Sequence, residues 1–363
     1  MRRTRRMLIA ALALAAFTPS SLAGFRPSLF LDCCAWNATH IVVVTEGEKI
    51  DGVVEVLESW KGDLKKSDTL KVPELAAFAS EESRVVSKRH FAYVDEDRDR
   101  PAHVSGSRMV LFIIKEQATN KSNKPAKPTW KPANPVWNEM QVSVAWIERG
   151  KVYAFSQQVN PGPSELLYDG TTEDKMKTRV LKIVAMHDAV AKAVALKDSI
   201  KMGEAMNVVV AFDSHWSKKF AIAMLVAAGK PSVPVLRKLL KDDSLGEYHA
   251  SVIKAMAKAG GAELGPELNR MLEQDVSFWK KTGPTLKKDW WNGAGLSWED
   301  VEPLRRRYIE DLRLLEALGN IRFTGGRKTV IAFRDLWSSV QQLNEVGGWA
   351  EACDSTLDKL PKR

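Results

Sequence analysis

With 363 residues, 45% of them hydrophobic and 27% charged, the chain has the composition of a soluble globular protein and is too long for one typical core, so two domains are expected. Its formal net charge is +9, but four arginines, Arg2, Arg3, Arg5 and Arg6, fall in the first six residues, and without them the balance is +5. That mild excess, with no dense basic stripe, speaks against a nucleic-acid partner and for solubility or attraction to an acidic surface.

The first residues read as an address. Met1 to Arg6 is a basic n-region, Met7 to Phe17 is an unbroken apolar run, and Ser21-Leu-Ala23 places small residues where a signal peptidase cuts. Residues 1–23 are therefore expected to be a signal peptide cleaved after Ala23, giving export to the periplasm or beyond. The general secretory route is expected ahead of the twin-arginine reading that Thr4-Arg5-Arg6 permits. The apolar run is shorter than the roughly 20 residues that span a bilayer, and no later stretch replaces it, so no stable membrane span is expected once the signal is gone. Cys33, Cys34 and Cys353 are the three cysteines. In an oxidising compartment they allow one bridge, between the N-terminal pair and Cys353 or between the two neighbours, or else they are buried thiols.

Residues 24–168 form a β-rich segment. Ile41 to Thr45, Val53 to Leu57, Thr69 to Val72, Arg108 to Ile114, Val142 to Ile147 and Val152 to Ser156 read as strands, with Arg108 to Ile114 the most apolar and so central. Gly47 to Gly52 and Arg149-Gly150 read as turns. Asn120 to Pro135, basic and proline-rich, reads as a surface loop with no regular element, and Trp130 within it and Trp137 just after it are candidate contacts. Five or six short strands suggest a small antiparallel barrel or sandwich. The cysteines ahead of the first strand, Glu58-Ser-Trp-Lys-Gly62 and the later Val-Leu-Phe strand resemble the netrin-like, tissue-inhibitor-of-metalloproteinase type of OB barrel. The resemblance implies protease inhibition through an amino-terminal cysteine, but about nine residues would precede Cys33 after cleavage.

From Thr172, an N-cap followed by acidic residues, the pattern turns helical through residues 169–363. Met176 to Lys197 reads as a docking helix. Ala221 to Gly229, Val252 to Gly260 and Asp311 to Gly319 then align as copies, each closing on a glycine. Each is followed by a second segment, Pro234 to Leu240, Pro266 to Leu272 and Ile331 to Trp337. The first two copies are 31 residues apart and the third lies 59 further on, so an insertion or a degenerate unit is expected between them. Helix, glycine stop, proline in the next first turn, and repetition resemble the HEAT-repeat family, which implies a helical array that holds other molecules. The fold expected is thus α+β with two domains, an OB or netrin-like antiparallel barrel and then an all-α HEAT-like array.

The insertion, residues 277–300, holds four of the twelve tryptophans. Trp279, Lys287, Lys288, Trp290, Trp291 and Trp298 are the candidate binding residues, set against a reading in which the rings only pack. Ser297-Trp-Glu-Asp300 reads as the next helix start. No catalytic set stands out. The six histidines are scattered without zinc spacing, the acidic run Asp95 to Asp99 lacks the order of a calcium loop, and no nucleophile elbow or phosphate loop occurs, so no cofactor and no enzyme activity are expected. The expected work is non-catalytic binding or scaffolding of a protein or glycan at the cell envelope. A protease inhibitor acting through the barrel and a hydrolase with a site at the domain junction are the alternatives.

Overall fold

The computed structural model describes residues 31–47, 52–72, 108–116, 129–133, 144–153, 171–293 and 297–361. The signal peptide, the acidic run at Asp95, Trp137 and most of the Gly47 to Gly52 turn lie outside them. The chain is α+β: an antiparallel sheet, nearly barrel-shaped, precedes a helical region. By contact it divides into two compact units, Met1–Ala185 and Met186–Arg363.

In the first unit, helix α1 (Leu31–Asn37) leads into strands β1 (His40–Glu46), β2 (Val53–Lys61), β3 (Thr69–Lys71), β4 (Arg108–Glu116), β5 (Thr129–Pro132), β6 (Val144–Glu148), β7 (Lys151–Tyr153) and β8 (Thr171–Thr172). The order is β3-β2-β1-β4-β6-β7-β8, with every pairing antiparallel. β4 is central, as its apolar run predicts: β1 lies along one side, and β6 and β5 share the other, at Arg108–Leu111 and Ile113–Glu116. β3 approaches β5, so the sheet curls toward closure, helped by two register shifts between β1 and β2. The consecutive apolar residues of β1 and β4 follow from burial on both faces. Val42, Val44, Met109 and Leu111 face the sheet's inner core, while Ile41, Val43, Val110 and Phe112 are equally buried, with α1 packed against β4.

Two expectations need correction here. The proline-rich stretch is not without regular structure, because Thr129–Pro132 forms β5 and Trp130, 7% exposed, belongs to the sheet core. Pro132 is tolerated because it ends a strand that pairs along only half of β4. The second strand is also longer than expected, since β2 runs past Leu57 through Trp60 and Lys61 to Gly62, whose φ is +95°. Glycine is required there twice over, because a Cβ would also lie 2.2 Å from the His40 ring. At Arg149-Gly150 both residues take positive φ, as a two-residue hairpin turn demands.

The helical region comprises α2 (Glu173–Leu196), α3 (Ser199–Ala211), α4 (His215–Leu225), α5 (Val233–Leu240), α6 (His249–Gly260), α7 (Gly265–Thr282), α8 (Trp298–Asn320), α9 (Arg327–Ser339), α10 (Gln341–Asn344) and α11 (Trp349–Lys359). Thr172 Oγ1 accepts from Lys175 N at 3.3 Å, the expected cap of α2. α4 packs on α6, α6 on α8 and α8 on α11, while α5 packs on α6 and α7 on both α8 and α9. The aligned positions Leu225, Met256 and Leu315 are fully buried, as are Leu236, Leu268 and Phe333 in the second segments. Because α6 meets α8 directly, no degenerate unit lies between them. The long spacing comes from an extended α7, a 23-residue α8 and the connection between them.

The glycine stops are only partly where the alignment puts them. Gly229 has φ 67° and ψ −142°, and its structural counterpart is Gly261, at 61° and −148°, rather than Gly260, which is helical. Gly319 ends nothing: it is buried inside α8, a Cβ there would lie 3.3 Å from Thr356 Cα, and the positive φ falls on Arg322. Its smallness serves the approach of α11. Among the described residues no helix is long and apolar enough to cross a membrane.

Candidate functional site

The six candidate residues divide by burial. Trp279 on α7 and Trp290 on a single 3-10 turn (Trp290–Asn292) are buried, and each indole N–H has a partner. Trp279 Nε1 donates to Asp311 Oδ2 at 2.6 Å, and Trp290 Nε1 to the Gln342 carbonyl at 2.9 Å. Trp291 is half-buried, and Lys287 and Lys288 are exposed. Trp298, the first residue of α8, is 65% exposed, held there by the Ser297 cap that accepts from Asp300 N.

The buried rings form one continuous cluster. Trp279 contacts Trp290 and Trp337, Trp337 stacks on Tyr308 at 4.7 Å and on Phe333 at 5.3 Å, and Tyr308 meets Trp291 edge-on. The Tyr308 hydroxyl donates to the Gly347 carbonyl at 2.6 Å, and burial pushes its phenol well above the ordinary range. The insertion is therefore pinned to α7, α8 and α9. At its surface the Arg305 guanidinium lies 4.5 Å from the Trp298 ring and 5.4 Å from the Trp291 ring, while its Nε and Nη2 donate to the Trp291 carbonyl. The structure thus brings Trp291 and Trp298 together through Arg305 and leaves Trp279 and Trp290 beneath as support.

Below this surface lies a pair of carboxyls that sequence reasoning did not single out. Asp275 on α7 and Asp311 on α8 are both buried, Asp311 completely, and lie close enough that each shifts the other's titration. Burial raises both, Asp311 further because Asp275 adds a like charge, while the Trp279 N–H works the other way. Arg307 Nε donates to Asp275 Oδ1 at 2.6 Å and opposes the effect of burial on that carboxyl. The signal was present in the repeat: Asp311 occupies the column of Ala221 and Val252, both fully buried. A carboxyl in an apolar column announces a partner.

A further polar constellation lies in the sheet. His40 Nε2 donates to Asp63 Oδ1 at 2.5 Å, Thr39 Oγ1 lies 2.9 Å from its Nδ1, and Lys115 Nζ is 3.3 Å from Asp63 Oδ2. This chain ties the β2–β3 connection to the ends of β1 and β4. His40, then Lys115, hold the Asp63 carboxyl down to about 2, although Asp63 is largely exposed and solvent screens the pair. The cysteines are all buried thiols rather than a bridge. Cys33 and Cys34 sit within α1, whose Asp32 is paired with Arg179 at 2.5 Å, and burial pushes the Cys353 thiol up to about 12. Among the described residues no group of three or more His, Cys, Asp or Glu is placed to hold a metal.

Comparison of the chain with protein-family models, curated proteins and solved structures gives no match.

Proposed function

We propose that this is an exported, non-catalytic binding protein that holds a protein or glycan partner on the Trp291–Arg305–Trp298 surface of its helical region. The observation that carries the reading is a large aromatic ring left 65% exposed on a scaffold that buries its neighbours. The ring is not loose, since Arg305 stacks against it and is itself fixed to the Trp291 carbonyl. A rigid, amphipathic, solvent-facing ring loses little entropy on contact, which is why tryptophan and arginine dominate binding hot spots and sugar platforms. The finer architecture belongs to the same reading: a netrin-like or OB barrel as one domain, and a HEAT-like array as the other. Support for the array comes from side-chain contacts that join residues about one sequence period apart, among them Lys230–Glu263, Arg237–Glu267 and His215–Tyr248. The basic n-region and small-residue cleavage site support export.

The inhibitor reading is less well supported, because it needs Cys33 at an exposed amino terminus and Cys33 is buried within α1. The carboxyl pair does not favour a hydrolase either, since Asp311 is sealed beneath indole rings and serves the packing of α7 on α8.

The test is a glycan array and an envelope-extract pull-down with the mature chain, run beside Trp298→Ala and Arg305→Ala. Trp298→Ala should change folding stability by less than about 0.5 kcal/mol, as surface substitutions do, and yet abolish retention of the partner. Identical retention by all three chains would refute the reading.

A further inference from the structure

A second surface lies away from the tryptophans, where α6 packs on α8. The buried Ala257 and Ala317 leave the two helices without large side chains at that point, opening a groove of about 270 Å³. Lys254 and Lys258, one turn apart on α6, line one wall; Arg313, Glu316 and Asn320, at spacings of three and four on α8, line the other. The rim therefore carries three cations against one carboxylate. Glu316 is engaged by Arg313 Nη1 at 2.7 Å and more loosely by Lys254 Nζ at 3.7 Å, and Lys258 has no carboxylate partner among the described residues. The Asn320 Oδ1 accepts from Lys359 Nζ at 3.2 Å. That bond fixes the amide, because a lysine ammonium can only donate, and leaves the Nδ2 hydrogens for another acceptor.

We propose that this groove binds an acidic peptide segment of a protein partner. The chemistry favours a peptide over a bare polyanion for a specific reason. A sulfated or phosphorylated chain offers acceptors only, and the Glu316 carboxylate in the middle of the rim repels it. A peptide backbone offers both kinds of group, so Asn320 Nδ2 can meet a carbonyl while Glu316 accepts an N–H, and Lys258 and Arg313 meet acidic side chains. Enclosed small-molecule pockets run from about 300 to 1,000 Å³, so an open groove just below that range suits a segment laid along it. The alanine floor accommodates the small or apolar side chains between the acidic ones. The groove shares no residue with the tryptophan surface, so each stands or falls separately.

The experiment is fluorescence anisotropy of the mature full-length protein with a degenerate library of short, end-blocked, fluorescein-labelled peptides carrying Asp or Glu at alternate positions. Saturable binding is expected, weakened by about tenfold or more in Lys258→Glu and in Asn320→Ala, both exposed positions whose replacement leaves the core untouched. Lys241→Glu, which changes net charge by the same amount on α5's C-terminal flank, is expected to retain wild-type affinity. Circular dichroism melts check that all variants are folded. No saturable binding overturns the proposal. So does equal weakening by Lys241→Glu, which would mean attraction to the overall field, or full affinity in Asn320→Ala, which would mean that no backbone is read. Displacement of the peptide by a sulfated oligosaccharide or by millimolar phosphate would likewise replace it with a simple anion site.

Discussion

Asp311 shows how much one side chain depends on its neighbours. Its folded-state pKa is shifted upward by burial and by Asp275, and a carboxyl raised above its unfolded value contributes stability that is complete at low pH and is lost as pH rises through the folded value. Asp311→Asn keeps an acceptor for the Trp279 N–H and removes the titration. The variant is expected to be at least as stable as the parent at pH 5 and more stable at pH 7 and 9, read from urea midpoints. Asp311→Ala instead strands a buried indole N–H, at about 1–3 kcal/mol, and should be less stable at every pH. His249 has the same sign from an opposite cause: Glu310 at 3.2 Å, outweighing burial and the nearby Arg306, raises it. The pair's contribution is present below the unfolded histidine value and fades as pH rises through the folded one, so His249→Gln should lower stability at pH 5 more than at pH 9. Cys353, pushed up to about 12, should stay unmodified by iodoacetamide at pH 8 until the protein is unfolded.

Elements were legible wherever one local rule decided them. The N-caps at Thr172 and Ser297, the prolines opening α5 and α7, and the apolar runs of β1 and β4 all lie where periodicity and capping chemistry put them. β5 was not legible, because the prolines in and around it argue for a loop and only pairing with half of β4 makes a strand of it. The helix stops were half legible, since sequence alone cannot tell a glycine needed for positive φ, as at Gly261, from one needed for closeness, as at Gly319. Substitution separates the two. Nothing lies within 4 Å of a Cβ built on Gly261, so Gly261→Ala isolates the backbone cost, expected at about 1–3 kcal/mol by thermal or chemical melts. Arg322, with φ 53°, occupies the third stop without a glycine, and Arg322→Gly should stabilise by up to about 1 kcal/mol. Of the candidate site, the tryptophans were legible as a cluster, but Arg305, Asp275 and Tyr308 were not. Their roles exist only once α7 and α8 lie side by side.

Across the helical region, contacts recur at nearly the sequence period. Asn207–Lys238, His215–Tyr248, Lys230–Glu263, Arg237–Glu267, Asp275–Arg307 and Trp279–Asp311 join residues 30 to 33 apart. Each such contact ties a segment to its successor, which is the pattern that the proposed array, a one-dimensional stack, requires. Leu268 on α7 tests this, being fully buried in the column shared with Leu236 and Phe333. Truncation to alanine should cost about 2–5 kcal/mol locally. In a nearest-neighbour stack the loss of amide protection, followed by hydrogen exchange, should be greatest in α6, α7, α8 and α9 and should diminish toward α3. A uniform loss from α3 to α11 would instead show that the region opens as one cooperative unit, with the periodic contacts incidental to a single core.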